Sequence, residues 1–152
     1  MPGKKREIII VLLVLALDQL TKLIVNANLT LQGSIPLIKG VFSLTLIHNR
    51  GAAFGIFKNQ LYFFIFISVI AVALIYSMLK NNKSGKLYSL SLSLVLGGAL
   101  GNLLDRVFLG YVIDFLDFHI WPVFNIADSA ITCGTLILGW AMLRPGAKKY
   151  AS

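Results

Sequence analysis

A chain of 152 residues with 57% hydrophobic and only 13% charged residues has a mean hydropathy of +0.82, too apolar for a soluble domain of this size to cover its core with polar surface. The net charge of +8 would suit a nucleic-acid partner, but the basic residues cluster beside long apolar runs, where they act as a membrane-orientation signal instead. With one cysteine no internal disulfide can form.

Four apolar stretches come close to the roughly 20 residues needed to cross about 30 Å of hydrocarbon. The first runs from Glu7 to Val25 behind Lys4, Lys5 and Arg6. Its start resembles a secretory signal, with Val25-Asn26-Ala27 as a poor cleavage site, but the apolar run continues past Asp18 and three more spans follow. A retained helix is therefore expected. Asp18 and Lys22 stand four apart on it, the favourable orientation for an ion pair.

The segment from Asn26 to Gln60 is richer in polar residues. Phe42, Leu44 and Leu46 alternate with Ser43 and Thr45, which predicts a strand with one apolar face. Gly33, Pro36 and Gly40 punctuate the approach to it. Then comes His48-Asn49-Arg50-Gly51-Ala52-Ala53-Phe54-Gly55, where small residues permit close backbone approach and Asn49 and Arg50 offer directed donors. An ordinary turn explains the same residues equally well.

The second span, Leu61 to Leu79, opens with Tyr62 and Phe63, which fit an interfacial aromatic belt, as does Trp121 further on. Lys80, Lys83 and Lys86 lie in the short connection to the third span, Leu87 to Leu104. Near its end Gly98, Gly101, Asn102, Asp105 and Arg106 recur at three- and four-residue spacing and share a face. Gly97 and Gly101 form a small-xxx-small pair for close packing in lipid. The segment that follows, to Asn125, mixes acids with large apolar groups in Tyr111 to Phe118 and should fold against the membrane or the other polar segment. In the fourth span, Ile126 to Leu143, Asn125, Asp128, Ser129 and Thr132 line up, with Ala130 and Gly134 as a second small pair. Cys133 is read as a packing residue. Arg144, Lys148 and Lys149 follow.

Because Lys and Arg collect on the cytoplasmic side, both termini and the 80–86 loop are expected inside and the two longer polar segments outside. The expected architecture is an all-α membrane protein of one domain, four spans with cytoplasmic termini, carrying a small extracytoplasmic cradle that contains β structure.

A charge at bilayer depth costs about 2.5–3.5 kcal/mol on insertion scales, so the acids near one end of these spans need an explanation. Helix-to-helix hydrogen bonding is the plain one. It accounts for Asp18, which Lys22 can neutralise, and for Asp105, which has Arg106 beside it. It accounts poorly for Asp114 and Asp128, which have no Lys or Arg within four positions. Each of these should take up a proton or share one with another carboxyl. Two acids sharing one proton are the working parts of an aspartic protease. On pattern alone Asp117 is as eligible a member of the pair as Asp114. A transporter would place its acids near the midplane within repeated, broken helices, and a noncatalytic membrane chaperone would not need both carboxyls. His48 and His119 are too far apart to suggest a metal motif, and no G-x-S-x-G or P-loop spacing occurs.

At these positions the chain resembles bacterial lipoprotein signal peptidase, the type II signal peptidase. The motifs are Asp18-Gln19-Leu20-Thr21-Lys22, Asn49-Arg50-Gly51-Ala52-Ala53-Phe54-Gly55, Gly98-Ala99-Leu100-Gly101-Asn102-Leu103-Leu104-Asp105-Arg106, Val112-Ile113-Asp114-Phe115 and Phe124-Asn125-Ile126-Ala127-Asp128-Ser129. They occur in order over nearly the whole chain. The resemblance implies a membrane aspartic endopeptidase in which Asp114 and Asp128 are the catalytic pair, so it selects Asp114 over Asp117. Asp18, Lys22, Asn49, Arg50, Asn102, Asp105, Arg106 and Asn125 would bind substrate or support the pocket, with Asn102, Asn125 and Arg106 free to hydrogen-bond the peptide. The implied substrates are prolipoproteins carrying diacylglyceryl, cut before the lipidated cysteine at the outer face of the bacterial cytoplasmic membrane. Membrane lipids and globomycin-type inhibitors are the other implied partners. Neither a metal nor an organic cofactor is expected, no nucleic acid is involved, and the working unit is expected to be a monomer.

Overall fold

The computed structural model describes residues 2–51, 60–81 and 85–143. Lys58, Lys83, Arg144, Lys148 and Lys149, and the Ala52 to Gly55 part of the glycine-rich motif, lie outside the described residues. Seven elements follow one another: α1 Pro2–Asn28, β1 Ser34–Ile38, β2 Phe42–Asn49, α2 Leu61–Lys80, α3 Lys86–Phe108, β3 Val112–Asp117 and α4 Ile126–Leu143. All four helices are long and apolar enough to cross a membrane, and each contains the span that hydropathy predicts, with α1 and α3 running several residues further.

The third helix is the hub, packing against each of the other three. Apart from Leu92 and Leu96 its buried residues are small or polar: Ser91, Ser93, Gly97, Gly98, Gly101, Asn102 and Asp105. Lipid supplies no hydrophobic drive between helices, so contact depends on backbones coming close. A Cβ on Gly97 would fall 2.8 Å from the Val14 Cβ of α1, and one on Gly98 would strike the Ala127 carbonyl oxygen of α4. The two glycines of neighbouring positions thus serve different partners. By contrast α2 has no buried residue; its half-buried Leu61, Phe64, Ile65, Ser68, Ala71, Val72, Ile75 and Leu79 form one narrow seam.

At one end of the bundle the strands make an antiparallel sheet in the order β1-β2-β3. The predicted strand is real but longer, and its simple alternation fails. A register shift between Leu44 and Ile47 changes the phase, leaving Leu46 buried in a core with Val25, Ile113 and Phe115 while Ser43 is buried as well. Sequence reading missed β1, an exposed edge strand in which Pro36 is tolerated because an edge needs no further donor. Gly40, at φ 76°, turns the hairpin in the left-handed region open to glycine. The 111–118 segment does fold onto the other polar segment: β3 pairs with β2, setting Asp114 opposite Ile47 and Val112 opposite Asn49.

Candidate active site

The sheet, the 121–124 loop and the adjoining ends of α3 and α4 enclose a cavity of about 250 Å³ lined by Asp114, Asp128, Asn49, Asn102 and Arg106, with Gly51, Val112 and Trp121 to Phe124 completing the wall. Asp114 comes from β3 and is buried. Asp128 comes from the first turn of α4, where a negative charge is favoured by the helix dipole.

Asn125 does two things at once. As the residue before α4 its Oδ1 accepts the Asp128 N–H at 2.9 Å, an N-cap that starts the helix and fixes where Asp128 sits. Its Nδ2 donates to Asp114 Oδ1 at 2.7 Å and also lies near Asn102 Oδ1 and the Ile113 carbonyl. The second oxygen of Asp114 accepts from Asn49 Nδ2 at 2.8 Å, and Asn49 is itself oriented because its Oδ1 accepts the Gly51 N–H at 2.9 Å. Asp128 Oδ1 accepts from Asn102 Nδ2 at 2.8 Å. Among the described residues both carboxylates are held by amides, and no ammonium or guanidinium hydrogen-bonds either.

Burial, then the neighbouring Asp128 charge, pushes the Asp114 pKa up to about 7, against the opposing pull of the Asn49 and Asn125 hydrogen bonds and the charge of Lys22. The pair of acids therefore carries an exchangeable proton close to neutral pH.

A second acid pair lies behind the first. Lys22 Nζ, almost fully buried, is 2.8 Å from Asp18 Oδ2 and 2.8 Å from Asp105 Oδ2, and donates to Asn102 Oδ1 at 3.0 Å. Gln19, which sequence reading did not single out, donates to Asp105 Oδ1 at 2.9 Å and Asp18 Oδ2 at 3.1 Å. The expected Asp18–Lys22 pair is present.

Several expectations need correcting. Arg106 does not neutralise Asp105: adjacent helical residues point about 100° apart, so Lys22 takes that role. Arg106 instead reaches the cavity, its guanidinium 5.5 Å from the Phe64 ring centroid and donating to the Asn102 carbonyl at 3.3 Å. Asn125 spends its Nδ2 on Asp114 Oδ1, Asn102 Oδ1 and the Ile113 carbonyl and does not line the cavity, whereas Asn102 lines it and gives one N–H to Asp128 Oδ1. Arg50 is exposed and does not line the cavity although both its neighbours do. Thr132 is exposed on α4 and takes no part in the polar face. Trp121 lines the cavity besides standing at the edge of the sheet end, and no periodicity could have revealed that.

Asp117, three residues from Asp114 along a strand, points to the opposite face. It accepts from Thr45 Oγ1 at 2.9 Å and from the His119 N–H at 2.8 Å. With His119 Nε2 3.1 Å from Ser43 Oγ and His119 Nδ1 3.5 Å from Asp117, the order Ser-His-Asp appears by geometry, but Ser43 is only 3% exposed and does not line this cavity. His48, at the end of β2, stacks on Tyr111 at 3.9 Å, and burial and the Arg50 charge lower its pKa.

A family model described as Signal peptidase (SPase) II matches residues 10–144. The lipoprotein signal peptidase of Caldanaerobacter subterraneus subsp. tengcongensis is 51% identical over 141 residues, 91% of this chain and 97% of that protein. Those of Halothermothrix orenii, 48% identical with 86% and 90% covered, and Francisella tularensis subsp. novicida, 48% identical with 89% of each covered, are similarly related. A bacterial membrane enzyme solved by the in meso method at 2.3 Å resolution superposes with a TM-score of 0.89 at 32% identity, covering 97% of this chain and 93% of that one. A second, at 1.9 Å, gives 0.85 at 32% identity with 92% and 94% covered. With four membrane-capable helices, this fold and these relatives, the chain is a multi-pass membrane peptidase that belongs to the signal peptidase II family, the lipoprotein signal peptidases.

Proposed function

We propose that this chain removes the signal peptide from diacylglyceryl-modified prolipoproteins by cutting before the lipidated cysteine, with Asp114 and Asp128 as the catalytic pair. The observation that carries the reading is a pair of carboxylates on one cavity wall, each oriented by asparagine amides, with no basic group among the described residues hydrogen-bonded to either. The ionised member takes a proton from a water lying between the two, and the water oxygen adds to the scissile carbonyl carbon. The protonated member hydrogen-bonds the carbonyl oxygen and stabilises the charge that develops there. Collapse of the resulting diol breaks the C–N bond, its nitrogen takes up a proton, and the products are a signal-peptide carboxylate and a lipidated N-terminal cysteine. Because the pair shares one proton, its apparent pKa values belong to both acids together.

Arg106, on the cavity wall without a carboxylate hydrogen bond, is the group left free to meet the peptide backbone. The chain works as one integral-membrane unit in the bacterial cytoplasmic membrane, both termini inside and the sheet end outside. The Lys and Arg distribution supports this: Lys80 and Lys86 stand at the helix ends remote from the sheet. A cavity at that depth suits a substrate whose signal helix lies in the bilayer and whose acyl chains stay in lipid. A monomer suffices, since one chain supplies both acids, and globomycin-type cyclic peptides compete for the same cavity.

Asp114→Asn and Asp128→Asn, each purified in detergent with its fold checked by thermal melting, should convert a lipidated prolipoprotein at least about 1,000-fold more slowly, as loss of an acid–base group requires. Either variant cleaving at near the parental rate in a gel-shift assay would overturn the assignment. Unlipidated substrate turned over as fast as lipidated would remove the lipid-specific part.

A further inference from the structure

The lower acids are not only a helix staple, because of where their second contacts go. Asp18 Oδ1 accepts the backbone N–H of Ala127 at 2.9 Å, and Ala127 immediately precedes Asp128. Asp105 Oδ2 accepts the backbone N–H of Ile113 at 3.1 Å, and Ile113 immediately precedes Asp114. Each lower acid therefore grips the chain one residue before an upper acid, and one ammonium at 2.8 Å from both ties the two grips together. Lys22 also donates to Asn102 Oδ1 at 3.0 Å, which fixes the amide so that its Nδ2 faces Asp128 Oδ1 at 2.8 Å. The ammonium thus hydrogen-bonds Asp18 and Asn102 and pairs with Asp105, and each of these makes a further hydrogen bond, to the backbone just before an upper acid or to Asp128 itself.

We propose that Lys22 is the positioning residue that sets the spacing and orientation of Asp114 and Asp128, acting through Asp18, Asp105 and the amide of Asn102. The proposal rests on those two acids being the catalytic pair. Lys22 touches neither the cavity nor the carboxylates it aligns. α1 contributes no residue to the cavity wall, so its part in the reaction runs through Lys22, Asp18 and the Gln19 amide that joins Asp18 to Asp105.

The test is single-turnover cleavage with enzyme in excess over a lipidated prolipoprotein, where the amplitude reads the folded, competent fraction and the rate constant reads the chemistry. Lys22→Met should slow the rate constant about 100-fold, the scale of an ångström-sized misplacement, while the enzyme concentration giving half-maximal rate stays within about threefold, as expected where binding contacts are kept. Because Lys22→Met leaves two buried acids without a cation and can fail to fold, the companion is the neutral triple variant Lys22→Met, Asp18→Asn, Asp105→Asn. Its amide oxygens still accept the Ala127 and Ile113 N–H groups. Recovered thermal stability with the rate constant still low is the expected result. A triple variant that regains both stability and rate overturns the proposal, since charge compensation alone would then be the role of Lys22. Asp114→Asn run alongside separates the two readings: if it cleaves, the catalytic pair is wrong; if it is dead while the triple variant is fast, only the role of Lys22 falls.

Discussion

Four aspartates are joined in one hydrogen-bond network, and they form two pairs that chemistry treats oppositely. Burial does not explain the division, for Asp114 at 2% exposure is as enclosed as Asp18 at 0% and Asp105 at 3%, while Asp128 is half-buried. What differs is the donor. The lower pair shares an ammonium, and its other contacts go to Gln19 and to the backbone N–H groups of Ala127 and Ile113. The upper pair is met by asparagine amides, which orient a carboxylate without cancelling its charge, so Asp114 keeps a proton affinity near neutrality. A neutral donor is what lets a buried acid remain a usable acid.

The harshest way to break this arrangement is to push the helices apart beneath it. A Cβ on Gly101 would collide with the Asp18 carboxylate and one on Gly98 with the Ala127 carbonyl, so Gly101→Val and Gly98→Val should each lose more than about 3 kcal/mol, the cost of disrupting a buried charged network. The yield of monodisperse protein and its melting temperature in detergent check this. Gly139→Ala, with nothing within 4 Å of the added carbon, is the control and should leave both unchanged.

Next in size is Asn125→Ala, which strips one amide from Asp114 and the cap from α4 together. Loss of an N-cap costs about 1 kcal/mol of stability, and the two carboxylates losing their common guide should slow single turnover about 100-fold. Asn49→Ala is milder, because Asn125 still holds Asp114; about tenfold is expected, the worth of one hydrogen bond to a charged group. It also carries a pH signature with a definite sign. The Asn49 N–H favours the carboxylate and lowers the Asp114 pKa, so without it that pKa rises above about 7. The rate limb on which the shared proton is lost should then move to higher pH. A shift to lower pH would contradict the role given to this amide.

The four helices and the sheet end were legible in sequence because hydropathy over twenty residues and the period of a helix are local properties. The same holds for Asp18 with Lys22, one turn apart. What was hidden depends on which strangers meet in space. Lys22 finds Asp105 over an interval of 83 positions, whereas the neighbour that sequence offered, Arg106, points the other way. The amides of Asn102 and Asn125 read as free donors until the carboxylates they serve are placed beside them. Edge strand β1 escaped because its proline and flanking glycines imitate a loop, and the bulge in β2 put Ser43 on the inside, where alternation placed it outside.

The smallest effect belongs to Asp117, and it is the one that most sharpens the contrast between acids. Alternation along β3 turns it away from the cavity, where Thr45 and His119 hold it on the far face of the sheet. Asp117→Asn keeps the shape, and its remaining carbonyl oxygen can still accept one of those donors, so stability should fall by about 1 kcal/mol, the net worth of one hydrogen bond. Cleavage should stay within about threefold of the parent, because no acid–base step passes through this residue. Comparing its rate with that of Asp114→Asn asks a question composition cannot answer: whether two aspartates in the same six-residue strand differ in function because successive side chains of a strand alternate between its faces, so that positions three apart point opposite ways. Loss of cleavage in Asp117→Asn with an intact melting curve would mean that the reactive face of β3 has been misassigned, and with it the partner of Asp128.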